Sequence, residues 1–345
     1  MGTVLDVCQN VDTKTQKRDG NSREMVEVHN LTKTYGTVQA LRGVDFTLEP
    51  GKVYGLLGVN GAGKTTTLQL LAGYITPTAG EILVDGISME KSPTTVKQKI
   101  GYLPEQPPLY PELTVEEFLT FQAELRRISK KKREEAVEQA VQVGNLFSVR
   151  NRLIGQLSKG FRQRVGLSAT LMGDPEILLL DEPTNGLDPV QMVEMRKMIR
   201  SLGKDRIVVV SSHVLSEITR EADEVLIIAA GQLVLSGKMD QLTGETRVLE
   251  VEIKGSRAEL KPLVDGCLAG RKVTVTATGE GMRLLVGEKA GEDLREAFFH
   301  AAAEAGLPIL FMQHRTEDIE DVFLRATEEA YLAENGPEEE DEEND

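Results

Sequence analysis

Residues Gly58 to Thr66 read GVNGAGKTT, set between the apolar runs Val53–Leu57 and Leu68–Ala72. A strand, a glycine turn and a helix start in that order fit the phosphate-binding loop pattern G-x-x-x-x-G-K-[ST] at every position. Gly58, Gly61 and Gly63 allow backbone angles closed to other residues. Successive N–H groups along the loop, those of Val59, Asn60 and Ala62 included, can then turn inward around a phosphate. The helix that starts near Lys64 aims its positive end at the same spot. Lys64 is placed to reach the outer phosphates, the Thr65 hydroxyl to help hold Mg²⁺, and Thr66 closes the loop. A glycine-rich turn with no ligand would not need the Lys-Thr pair.

A second constraint lies at Ile177–Glu182, ILLLDE. Four apolar residues in succession read as a strand buried on both faces, with Asp181 and Glu182 emerging at its C-terminal end. Open α/β sheets bind their ligands there. Asp181 is placed to hold Mg²⁺ through water, and Glu182 is the candidate base for the attacking water. A further buried strand, Ile207–Ser211, leads to His213, which can contact a terminal phosphate. His29, His300 and His314 sit in ordinary amphipathic surroundings and read as structural.

The remaining pattern places these motifs. Val26 and Val28 alternate with polar residues, as does Val44–Leu48, and both stretches read as strands. Tyr35 falls in the polar loop between them, where an aromatic can stack on a base or simply pack. Glu81–Val84 and Ile100–Leu103 are short strands. From Pro104 to about Gly160 the chain is mostly helical by periodicity and propensity, with the basic run Lys130–Arg133 as a solvated junction. A helix from about Val190 to Leu202 and a hairpin around Gly231 follow. Residues 24–240 thus form one α/β domain with a helical subdomain at about 104–165. Residues 245–333 read as strand, helix, hairpin, helix, strand and a final helix, the order of a small ferredoxin-like α+β unit. No chemistry is legible in that unit.

The chain has 345 residues, 40% of them hydrophobic, enough for two cores. Its net charge of −15 argues against general nucleic-acid binding. Much of that charge lies in the tail ENGPEEEDEEND at 334–345, which is expected to be disordered, as is the polar segment 1–23. Cys8 and Cys267 lack metal-ligand spacing and read as reduced thiols of a cytosolic protein. No run of eighteen apolar residues and no signal-peptide core are present, so no membrane span is expected.

The ordered motif set from Tyr35 to His213 resembles the ATP-binding cassette (ABC) ATPases. Its most specific element is LSKGFRQR at 157–164, which is similar to that family's LSGGQ signature followed by a basic helix. Ser158 and Gly160, ahead of a helix through Leu171, offer a hydroxyl and N–H donors to an anion. The resemblance implies that this anion is the terminal phosphate of ATP bound to a second cassette, so that two chains sandwich the nucleotide. It further implies adenine stacking by Tyr35, magnesium binding at Asp181, Glu182 as base, a D-loop role for Asp188 and a switch role for His213. Lys159 and Phe161 depart from LSGGQ. Glu105 stands at the usual Q-loop glutamine position, with Gln106 one residue later. These variants, and the ending EDIEDVFLRAT, resemble cassettes that serve ABC-2-type exporters of drugs, ions or polysaccharides, gliding-motility-type systems among them.

The expectation is therefore the ATP-hydrolysing, Mg²⁺-dependent subunit of an exporter. It would be cytoplasmic, peripheral on the inner face of the membrane, and paired with a second copy or a homologous cassette and with a separate ABC-2-type permease. A soluble cassette acting on DNA or the ribosome would usually carry two cassettes, coiled coils or zinc cysteines. A non-hydrolysing nucleotide sensor would not need the Asp181-Glu182 pair.

Overall fold

The computed structural model describes residues 25–218, 222–238, 247–271, 273–279, 281–288, 292–316 and 319–335. The expected disorder of 1–23 and of most of the acidic tail lies outside those residues. So does Cys8.

A six-stranded sheet carries the organisation, in the order β10-β9-β3-β8-β7-β6. Its strands are β3 (Lys52–Leu57), β6 (Ile100–Leu103), β7 (Ile177–Asp181), β8 (Ile207–Ser212), β9 (Glu224–Ala229) and β10 (Gln232–Lys238). All neighbours run parallel except the β9–β10 hairpin. Every residue of β7 and β8 is buried. Their runs of Leu, Ile and Val explain this, since strands covered on both faces need apolar side chains on both. Ile177 and Leu179 enter one core, and Leu178 and Leu180 the opposite one.

The first core is shared with a four-stranded antiparallel sheet, β2-β1-β4-β5. It comprises β1 (Val26–Tyr35), β2 (Val38–Leu48), β4 (Ala79–Val84) and β5 (Ile87–Ser88). Leu68, Leu70 and Leu71 of α1 (Lys64–Leu71) pack in this core with Leu31 and Leu41. The helix after the phosphate loop is therefore clamped between two sheets. One correction concerns Tyr35, which ends a ten-residue strand and does not sit in a loop. Backbone pairing with β2 carries that strand through polar Thr32–Thr34 and three irregularities of register. Side-chain alternation is lost at such places.

The helical insert begins after α2 (Pro93–Gln98) and β6. It holds α3 (Val115–Leu125) and α4 (Lys130–Val143) around Phe118, Leu119, Val137 and Val141. Thr114 and Glu117 form a reciprocal capping box at the start of α3. The basic run Lys130–Arg133 opens α4. Helix α5 (Lys159–Thr170) belongs to both halves, with Val165 in the insert's core and Leu167 in the main one. It begins at Lys159, so Gly160 lies in its first turn and not ahead of it. Helices α6 (Pro189–Leu202) and α7 (Leu215–Ile218) cover the second face of the main sheet.

The C-terminal sheet has the order β12-β13-β11-β14, all antiparallel. Its elements are β11 (Arg247–Ile253), α8 (Arg257–Gly266), β12 (Val273–Ala277), β13 (Met282–Gly287), α9 (Arg295–Glu304) and β14 (Ile309–Thr316). Leu249, Val251, Leu284 and Val286 face α8 and α9 through Leu260, Leu263 and Phe298. The last helix, α10 (Ile319–Asn335), runs two residues into the stretch expected to be a disordered tail. Its Ile319 and Val322 are buried with Leu215, Ile218, Val225 and Ile227, which seats the helix on the main sheet.

Candidate active site

The C-terminal ends of β3, β7 and β8 converge on a cleft of about 550 Å³. Asn60, Gly61, Gly63, Lys64, Thr65 and Thr66 form one side, and Glu182, His213, Asn185 and Glu105 the other, with Ala40 at the edge. Residues 150 positions apart meet here because parallel strands bring their loops to one end.

Gly63 caps α1 in a left-handed conformation, φ 111°, and a Cβ there would lie 2.7 Å from the Ala40 carbonyl oxygen. A Cβ on Gly58 would collide with the carbonyl of Ile228 on β9. Both glycines are thus required by close backbone approach. Lys64 is buried and donates to the loop's own carbonyls, Gly58 O at 2.8 Å and Val59 O at 3.2 Å. Its Nζ lies 3.8 Å from Glu182 Oε1. Burial lowers the Lys64 pKa, and the charges of Glu182 and Asp181 act against that shift. A bound anion would favour the ammonium in the same direction.

At the end of β7 a short relay fixes both carboxylates. The Glu182 backbone N–H donates to Ser211 Oγ at 2.9 Å, and Ser211 Oγ donates to Asp181 Oδ1 at 2.7 Å. Thr65 Oγ1 donates to the same Asp181 oxygen at 3.2 Å. Glu182 itself adopts φ 46°, an uncommon region for a residue with a Cβ. This turn aims its side chain at His213, whose Nδ1 lies 2.9 Å from Glu182 Oε2. Tyr102 stands near Asp181, and burial followed by that negative charge pushes its phenol pKa well up.

Glu105 lines the cleft and accepts a 2.8 Å hydrogen bond from Asn185 Nδ2, whereas Gln106 is exposed and does not line it. Gln163 of α5 donates to the Glu105 carbonyl at 3.4 Å. Tyr35 is also outside the cleft lining, 46% exposed, with the Lys33 ammonium 5.0 Å from its ring centre. Ser158, Gly160 and Asp188 are not brought into this cleft. Ser158 caps α5, accepting from Phe161 N–H at 3.4 Å, and Asp188 caps α6, accepting from Gln191 N–H at 2.9 Å. Ser211, Asn185 and Gln163 are contributions that the linear motifs do not single out. Only the serines beside His213 hinted at the relay.

A parallel sheet with a phosphate loop, an acidic pair ending the neighbouring strand and a histidine ending the next defines a P-loop nucleoside triphosphatase. Residues 41–185 match the family model for the ABC transporter. The bacitracin transport ATP-binding protein BcrA of Bacillus licheniformis is 39% identical over 225 residues, 65% of this chain and 72% of that protein. The ABC transporter ATP-binding protein YxlF of Bacillus subtilis is 32% identical over 303 residues, 87% of this chain and 99% of that protein. Among solved structures, an ATP-binding cassette, MJ0796, in a dimeric post-hydrolysis state with ADP and Pi is similar at a TM-score of 0.58. It is 26% identical, over 63% of this chain and 99% of that one. This chain belongs to the ABC transporter ATP-binding subunits, and it is an ATPase.

Proposed function

We propose that this chain is the ATP-hydrolysing subunit of an ABC-2-type exporter, working as a dimer of cassettes beneath a separate membrane permease on the cytoplasmic side. The observation that carries the hydrolytic part is the convergence of Lys64, Thr65, Glu182 and His213 on one cleft, with Asp181 bonded to Thr65 behind it. Relatives described as transport ATP-binding proteins for bacitracin and for multiple drugs support an exporter. No helix among the described residues is long and apolar enough to cross a membrane.

The loop N–H groups from Gly58 to Thr66 cradle the phosphates of ATP, and Lys64 exchanges its loop carbonyls for outer phosphate oxygens. The Thr65 hydroxyl and the Asp181 carboxylate supply oxygen donors of the kind Mg²⁺ takes, directly or through water. Magnesium bound there neutralises charge on the phosphates. Glu182 accepts the proton of the attacking water, and His213 orients that carboxylate while facing the terminal phosphate. Tyr35, on the hairpin that also bears Ala40, takes the base. The exposed start of α5 at Ser158, with Gly160 and the Asp188 loop, serves the ATP of the partner cassette. Glu105, held by Asn185, links the cleft to the insert and so to the permease, with exposed Gln106 on its outer side.

Glu182→Gln tests the assignment. It keeps the shape and removes the base, so turnover should fall about 10²–10⁴-fold while ATP binding persists. Near-normal turnover in the purified variant would remove Glu182 from the role.

A further inference from the structure

The C-terminal sheet contains a cluster that the ATPase site does not use. Glu288 follows β13, Asp293 lies two residues before α9, and His314 sits on the edge strand β14. One donor atom from each lies within 4.8 Å of the other two. His314 Nε2 is 3.0 Å from Glu288 Oε1 and 3.4 Å from Asp293 Oδ1. The Glu288 side chain is fully buried. Its Oε1 accepts the Leu294 N–H at 3.0 Å. Its Oε2, and His314 Nε2, are buried and have no hydrogen-bond partner among the described residues. A buried carboxylate oxygen with no donor is costly. Two buried polar atoms without partners among the described residues thus belong to one three-residue cluster of metal-ligating side chains.

We propose that Glu288, Asp293 and His314 bind a divalent transition-metal ion, with zinc as the species of choice. Zinc–nitrogen and zinc–oxygen bonds of about 2.0–2.1 Å put tetrahedral donor atoms roughly 3.3–3.4 Å apart, which matches the 3.4 Å His314–Asp293 spacing and exceeds the 3.0 Å His314–Glu288 spacing by a few tenths of an ångström. One imidazole with two carboxylates is a donor set zinc accepts. The outer shell is built as well. The Leu294 N–H holds Glu288, while Arg295 holds Asp293 through Nε at 3.0 Å and Nη2 at 2.7 Å. Asp293 is half exposed, so ion and water enter from its side. The ion would tie the end of β13, the start of α9 and the edge strand β14, which otherwise meet through the apolar core beneath them. Its role is structural, in the unit that seats α10 on the cassette.

The test uses the untagged full chain, stripped with a chelator, without nucleotide, and titrated with Zn²⁺ under equilibrium dialysis and in thermal melts. The expected result is one zinc per chain with a zinc-dependent rise in melting temperature. Both should be lost or weakened at least about tenfold in Asp293→Asn and in His314→Gln. Zinc binding should persist in Glu182→Gln and Cys267→Ser, which remove the cleft's carboxylate–histidine pair and the exposed thiol. Asp293→Asn is half exposed and keeps the Leu294 contact, so folding is not at issue for that variant. Zinc uptake unchanged by both Asp293→Asn and His314→Gln would overturn the proposal. So would a wild-type chain that takes up no zinc.

Discussion

The cassette and the C-terminal unit both bury charge, and they treat it in opposite ways. In the cassette, Lys64 and Glu182 sit at the mouths of parallel strands and line an open cleft, with Asp181 buried behind Thr65. Lys64 is bonded mainly to backbone carbonyls, and Asp181 to two hydroxyls. On the C-terminal sheet, the face turned from α8 and α9 carries Glu250, Arg283 and Arg315, joined by Asp321 of α10. Here each charge meets its opposite. Glu250 accepts from Gln313 at 3.0 Å and from Arg315 at 2.8 Å, and pairs with Arg283. Charge left with hydroxyls and carbonyls is ready for a charged ligand. Charge neutralised within the fold holds elements in place instead.

The two regions also meet. Val214 and Leu215, next to His213, face Arg283, Phe323 and Leu324 across a cavity of about 380 Å³. A helix from one region therefore abuts the loop that carries a site residue of the other.

The largest expected effect breaks the cassette side. Ser158→Arg should lower dimer turnover by about 10²–10³-fold, as removal of one preorganised donor does, without altering ATP binding to the isolated chain. Mixing it with Lys64→Ala chains leaves one intact composite site per heterodimer. Activity of the mixture above both parents establishes that Ser158 acts on the partner's nucleotide. Mixed dimers that form, bind ATP and gain nothing would count against a shared site.

Breaking the C-terminal side should cost stability more than chemistry. Glu250→Ala takes the carboxylate from Arg283 and leaves Arg315 with Asp321, and breaking this partly buried network should cost up to about 3 kcal/mol, seen as an earlier denaturant midpoint for this unit. Burial alone would raise the Glu250 pKa, but hydrogen bonds from Gln313 and Arg315 and the Arg283 charge bring it below the ordinary value. A lowered folded pKa contributes stability above the unfolded value of about 4.3 and loses it as pH falls through the folded one. Acid titration should therefore destabilise the wild type more than Glu250→Ala over that window.

Val322→Ala, at 4% exposure in the shared core, should cost about 2 kcal/mol from the lost methyls and the cavity. Hydrogen exchange should rise in α10 and β9. If ATP turnover falls as well, with ATP affinity unchanged, then α10 positions the His213 loop and the two regions are not separable. The smallest effect is expected from Glu105→Gln, which keeps an acceptor for Asn185 and removes only an exposed charge. ATPase rates should stay within about twofold. A much larger loss would move Glu105 from linkage to catalysis.

Much of this was legible in the chain itself. The phosphate loop and the strand before Asp181 are contiguous, and their residue types are dictated by backbone angle and burial, so local pattern suffices. The C-terminal order of strands and helices followed from periodicity for the same reason. Tyr35 was misplaced because its strand is held by ladder hydrogen bonds to β2 through a polar stretch without alternation. Ser211 lies thirty positions from Asp181, and Asn185 eighty from Glu105. No local pattern connects such pairs.

By itself, then, the sequence determined the element types, the family and the residues able to do phosphate chemistry, because each depends on neighbours a few positions away. The tertiary structure decided which oxygen each hydroxyl binds, that Glu105 and not Gln106 lines the cleft, and that Ser158 lies outside that lining. It also decided that His314, an ordinary histidine on an edge strand, meets two carboxylates. Those outcomes depend on which strands pair and how helices seat between sheets. Such contacts are set by the packing of the whole core and have no local signature in the chain.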